Sequence, residues 1–205
     1  MNREVLGTTL LRERVECLLL SPVMPGSILP SGLEEALCFF LYGKLVNNSI
    51  YEAIAGDLLT QAIDNINNLT PALDGLCGLG FVIDLMSRSG IIEIDSLTLT
   101  AIDRNIMMYD PYRIPDISFA HGLRGIVNYV HYRISVTHGH TGYDSSYIAN
   151  LNSAAEMLGI EIPYETSFDI LWKNLITAYR DVDIKTSRVK LLLNICKLLG
   201  SSWIA

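Results

Sequence analysis

The side chains of this 205-residue chain that could do chemistry are chiefly its four histidines, its four cysteines and the acids beside them. His121 is the sharpest candidate. It stands in Phe119-Ala120-His121-Gly122-Leu123-Arg124-Gly125-Ile126, directly before a glycine that opens an apolar helical pattern. An imidazole there could act as general acid or base, because its ordinary pKa lies near neutrality. It could equally hydrogen-bond its own helix start or hold an anion there. Asp74 occupies the equivalent place before Gly75, in Asp74-Gly75-Leu76-Cys77-Gly78-Leu79. Helix capping is the simpler account of Asp74, since a carboxylate accepts from free amides and suits the dipole. Acid–base work is the alternative.

Other clusters carry weaker chemistry. Cys77 lies near a helix N-terminus that could activate a thiol, but a buried small apolar residue is the simpler reading. His131, His138 and His140 suggest a metal, yet only Asp144 lies near them and no ligand set is complete, so no metal is expected. Tyr109, Asp110, Tyr112 and Arg113, with Tyr143 and Tyr147, could line a peptide-binding surface, since tyrosine and arginine dominate binding hot spots. Ordinary surface packing is the alternative. Arg124 could hold a carboxylate or phosphate, or simply lie at the solvent end of its helix.

These residues need helices to position them, and helical periodicity dominates the chain. Apolar stripes at i, i+3, i+4 and i+7 include Leu11/Val15/Leu18, Leu33/Ala36/Leu37/Phe40/Leu41, Ile54/Leu58/Ala62/Ile66 and Val82/Leu85/Met86. Further on come Leu99/Ile102/Ile106, Leu123/Ile126/Val127/Val130/Ile134, Ile148/Leu151/Ala155/Leu158, Leu171/Leu175/Ala178 and Val189/Leu192/Leu193/Cys196/Leu199. Few runs alternate with period two, so little or no sheet is expected. Pro22, Pro25, Gly26 and Pro30 should end the first helix, and Ser31 should cap the next. Ser89-Gly90 and Gly159 read as helix C-caps. Asp110 to Asp116 reads as a turn-rich connector, and Thr137 to Ser145 as the most flexible loop. No long linker divides the chain, so a single domain over residues 1–205 is expected.

Composition narrows the function classes. Hydrophobic residues make up 50% and charged residues 18%, with mean hydropathy +0.31. Much helix surface should therefore be buried, some of it against a second copy or a partner. Net charge is −7 and the pI about 5.0. Without a basic cluster, nucleic acid is not an expected partner. The positive charge of Lys185, Arg188, Lys190 and Lys197 suits a solvated last helix. The apolar runs are too short or too interrupted for a membrane span, and no secretory signal is apparent. Cys17, Cys38, Cys77 and Cys196 form no C-x-x-C pair and lie in apolar patterns, which fits reduced core thiols in a cytoplasmic protein.

The repeat is the most informative feature. Ser31-Gly32-Leu33, Asp74-Gly75-Leu76 and His121-Gly122-Leu123 can be laid over one another, with first glycines 43 and 47 residues apart. In each, a polar residue and Gly-Leu open an apolar helix, and a more polar helix follows. A spacing in the forties with two helices per unit marks a helical repeat. Glycine at each inner helix start is expected to let neighbouring helices pack closely.

From about residue 31 to 134 these segments resemble the lanthionine synthetase C-like family of peptide-maturation cyclases. Asp74-Gly75-Leu76-Cys77-Gly78-Leu79-Gly80 is similar to its Gly-Leu-x-Gly repeats, and His121-Gly122-Leu123-Arg124-Gly125-Ile126 to its His-Gly-x-x-Gly-Ile repeat. The resemblance implies an all-α fold, an α/α toroid of inner and outer helices, here partial. It places His121 on the family's acid–base histidine. The family's acidic residue falls on Pro71 in this chain, with Asp74 the nearest acid. The resemblance also implies zinc, but the family's Trp-Cys-x-Gly and Cys-His-Gly ligand segments do not occur in this sequence. The expected function is therefore a non-catalytic or degenerate relative that binds a peptide or a maturation enzyme, through residues such as Arg124, Tyr112 and Arg113. The alternative is a zinc-independent enzyme using His121 and Asp74. A partial ring would leave apolar flanks for a homo-oligomer to cover.

Overall fold

Each glycine of the repeat is followed at once by a helix. A computed structural model describes residues 3–20, 32–88, 90–139 and 141–163. α1 spans Arg3–Leu20, α2 Leu33–Val46, α3 Ser49–Asp64, α4 Leu76–Arg88, α5 Ser96–Met107, α6 Leu123–Val136 and α7 Ser145–Met157. Short 3-10 turns cover Ile66–Asn68 and Pro111–Arg113. Among the described residues there is no strand, as the periodicity requires.

Local chemistry sets the boundaries. Asn47 ends α2 in the left-handed conformation, and Asn48 then caps α3 by accepting from Ile50 N at 3.0 Å. That two-residue link folds α3 back onto α2. Asp95 caps α5 in the same way, accepting from Leu97 N. Gly90 and Gly159 have φ of 62° and 66° and follow the helix ends, as expected, with Ile91 N and Ile160 N donating back to Met86 O and Ala155 O. After α6, Gly139, at φ 85°, donates to Ile134 O, and Tyr143 is buried.

The helices form three consecutive pairs, α2/α3, α4/α5 and α6/α7. α2 also packs on α4, α4 on α6, and α1 on α2. Burial separates two roles. Every residue of α4 from Leu76 to Met86 is buried, as is every residue of α2 from Leu33 to Phe40. On α3 only Ala55, Leu59 and Ala62 are. α2, α4 and α6 are thus the more buried members of their pairs, and one apolar cluster runs from Leu11 through them to Leu151 and Ile160.

Several expectations need correcting. The buried line of α3 runs through Ala55 and Leu59, one residue on from Ile54 and Leu58, which are half-buried. Leu158 is exposed, because α7 has ended before it. Cys17 is exposed, while Cys38 and Cys77 are buried. Tyr143 and Tyr147 are buried and stacked at 5.9 Å, so they line no surface. The expectations for Pro22, Pro25, Gly26, Pro30, Ser31, Ser89, His140, Cys196 and everything beyond residue 163 lie outside the described residues.

The opening glycines also work differently from the expectation. Gly32 has φ of 91°, which side-chain-bearing residues rarely adopt. A Cβ on Gly75 would fall 2.1 Å from Thr70 O, and one on Gly122 would fall 2.2 Å from Asp116 O. Those two glycines make room for their own preceding loops rather than for a neighbouring helix. Close helix approach happens one turn further on, at Gly80. A Cβ there would come 1.9 Å from the Tyr129 hydroxyl of α6.

Candidate functional site

The loops before α4 and α6 are built alike. Thr70 O accepts from Leu76 N at 2.7 Å, and Asp116 O accepts from Leu123 N at 2.8 Å. Each loop thus supplies a backbone acceptor to its own helix start, and the glycine between them lets it approach. The residue before each glycine is freed from capping. Gly122 stands at the cap position of α6 with no side-chain cap bond. Ala72 O takes up Cys77 N at α4.

The two freed residues meet. His121 Nδ1 lies 2.7 Å from Asp74 Oδ2, although 47 residues separate them. Asp74 N donates to Ala120 O at 3.2 Å, which stitches the two loops together beside the pair. Thr70 Oγ1 donates to Asp74 Oδ1 at 3.0 Å. His121 N donates to Ser118 Oγ, and Ser118 N donates to Asp116 Oδ1 at 2.6 Å. Those Ser118 contacts, backbone first and hydroxyl second, hold the Asp116 carboxyl below its usual range. The His121 and Asp74 side chains keep 61% and 31% of their surface. The pairing uses Nδ1, so a ligand at the exposed ring would have to meet the other nitrogen, Nε2. The pair could accept or deliver a proton there, or anchor a polar group.

The other expected site residues are less closely gathered. Arg124 is exposed in the first turn of α6, and its carbonyl accepts from Asn128. Tyr112 and Arg113 are exposed on the Pro111–Arg113 turn, which packs on α7. Asp110 takes the Tyr112 amide at 3.0 Å and pairs with Arg113 at 3.6 Å. At the start of the connector, Tyr109 Oη donates to Leu69 O of the loop before Asp74 at 3.1 Å. No hydrogen bond or ion pair among the described residues joins Arg124, Tyr112 or Arg113 to the His121–Asp74 pair.

The chain matches no family of known proteins, no curated protein and no solved structure.

The zinc implied by the resemblance does not fit the described residues. No three His, Cys, Asp or Glu side chains converge among them. Cys77 is buried, and its thiol donates to Pro71 O at 2.8 Å. Burial pushes that thiol well above the ordinary range, against the thiolate a metal needs. His131 Nε2 is taken by Asn152 Oδ1 at 2.8 Å.

A second polar cluster went unread in the sequence. Arg133 of α6 reaches Asp84 of α4 at 3.5 Å and Asp103 of α5 at 3.3 Å, all three buried. Arg88 Nε donates to Asp84 at 2.8 Å, Tyr132 Oη donates to the same carboxylate, and Gly142 N donates to Asp103 at 3.3 Å. Burial first, then Asp84, push the Tyr132 hydroxyl far above the usual phenol range, so it remains a donor. The only signal in the sequence is a charge inside an apolar helical run. Spacing alone names no partner.

Proposed function

We propose that the chain is a degenerate lanthionine synthetase C-like protein, a partial α/α toroid of cytoplasmic peptide maturation. In this reading it holds a peptide or a maturation enzyme at the end of the inner helices where His121 and Asp74 meet. The observation that carries the reading is that pair. Two residues at the same place in successive repeats are released from capping and joined at 2.7 Å, yet remain open to solvent. Even a fully charged exposed pair contributes only about 0.2–1 kcal/mol, so stability alone gives little reason for the arrangement. Arg124, Tyr112 and Arg113 would supply further exposed contacts for a peptide.

The same pair also favours a second reading, in which His121 transfers a proton to or from the bound peptide and Asp74 orients its ring. No step through a metal belongs to either reading. The test is selection of a displayed library of random 12-residue peptides on the full chain. Peptides enriched on the wild type should bind His121→Ala at least tenfold more weakly. Equal binding to both proteins would remove the pair from the site.

A further inference from the structure

The hydrogen bonds around Asp74 run in one direction. Thr70 Oγ1 occupies Oδ1 at 3.0 Å, and the other oxygen, Oδ2, faces His121 Nδ1 at 2.7 Å. Thr70 is itself fixed to this turn, because its carbonyl accepts from Leu76 N and lies against Gly75. An ionised carboxylate can only accept, so a neutral His121 must donate from Nδ1 and carry its lone pair on Nε2. A free histidine side chain in water prefers the opposite tautomer.

We propose that Thr70 is a positioning residue for His121: by holding Asp74 Oδ1 it fixes the carboxylate so that Oδ2 keeps the ring in its Nδ1–H form. Nε2 is then presented as an acceptor. This rests on the reading of the pair as a binding site, and it narrows the group bound at Nε2 to a hydrogen-bond donor, such as a peptide hydroxyl, amide or ammonium.

Long-range proton–nitrogen NMR of the His121 ring, on the full chain at a pH where the ring is neutral, reads the tautomer directly. In the wild type Nδ1 should carry the proton and Nε2 should not. Thr70→Val should move both nitrogens towards the averaged shifts of a free imidazole, and Thr70→Ser should restore the wild-type pattern. If Thr70→Val disturbs the fold, Thr70→Ala removes the hydroxyl without the branched side chain and must give the same shift. Wild-type ring shifts in the folded hydroxyl-deleted variant would overturn the proposal. Failure of peptide binding to depend on His121 is a separate result: it would sink the proposed function and leave the tautomer measurement standing.

Discussion

His121–Asp74 and Arg133–Asp84–Asp103 both tie the α4 segment to the α6 segment through polar side chains, but the first is open to solvent on one side and the second is sealed. In the sealed cluster each charge is matched by several donors or acceptors, because a buried charge without partners is costly. In the exposed pair water could replace either partner at little cost. The sealed cluster therefore belongs to folding. The exposed pair leaves Nε2 available, which makes it the better place for a ligand.

That contrast predicts a ranked set of outcomes. Arg133→Met should be the most damaging change, since it takes the cation from fully buried Asp103, leaving it the Gly142 amide, and removes one partner of Asp84. Removing one partner of a buried pair costs about 3–5 kcal/mol, readable as a lower urea midpoint. A loss as small as that of an exposed pair would erase the distinction. Gly80→Ala should come next, because its new methyl meets Tyr129 Oη at 1.9 Å. Overpacking of this kind costs about 1–3 kcal/mol in the same assay. His121→Ala should cost no more than about 1 kcal/mol, whatever it does to binding.

Two smaller effects sharpen the picture. Burial pushes the Cys38 thiol up to about 12, with Glu34 adding to it. A thiol reagent at pH about 8.5, the ordinary thiol pKa, should therefore label exposed Cys17 and spare Cys38 and Cys77 in the native protein, as peptide mapping would reveal. Asp116 has a depressed folded-state pKa, so its stabilisation is present above 3.8 and fades as pH falls through the lowered value. Asp116→Ala should therefore flatten the acid side of the stability curve slightly. An unchanged acid limb would count against the Ser118 contacts.

How much of this was legible in the sequence depends on how local the cause is. The helices after Gly32, Gly75 and Gly122 were readable, since a glycine and an apolar run are neighbours in the chain. So were the ends at Gly90 and Gly159. The equivalence of Asp74 and His121 could be read from the repeat. Their bond could not, because it depends on two loops folding back through Thr70 O and Asp116 O. Nor could the pairing of Asp84 with Tyr132 and Arg133, which lie 48 and 49 residues away on α6. Tyr143 and Tyr147 read as surface residues because their sequence neighbours are polar, while packing of α7 buries them.

The most direct test of the exposed pair is the affinity of a selected peptide for Asp74→Asn beside the wild type, with melting temperatures measured together. Asparagine keeps an acceptor but loses the charge facing His121. The account predicts binding at least tenfold weaker with a melting temperature nearly unchanged. Wild-type affinity in the folded variant would contradict it.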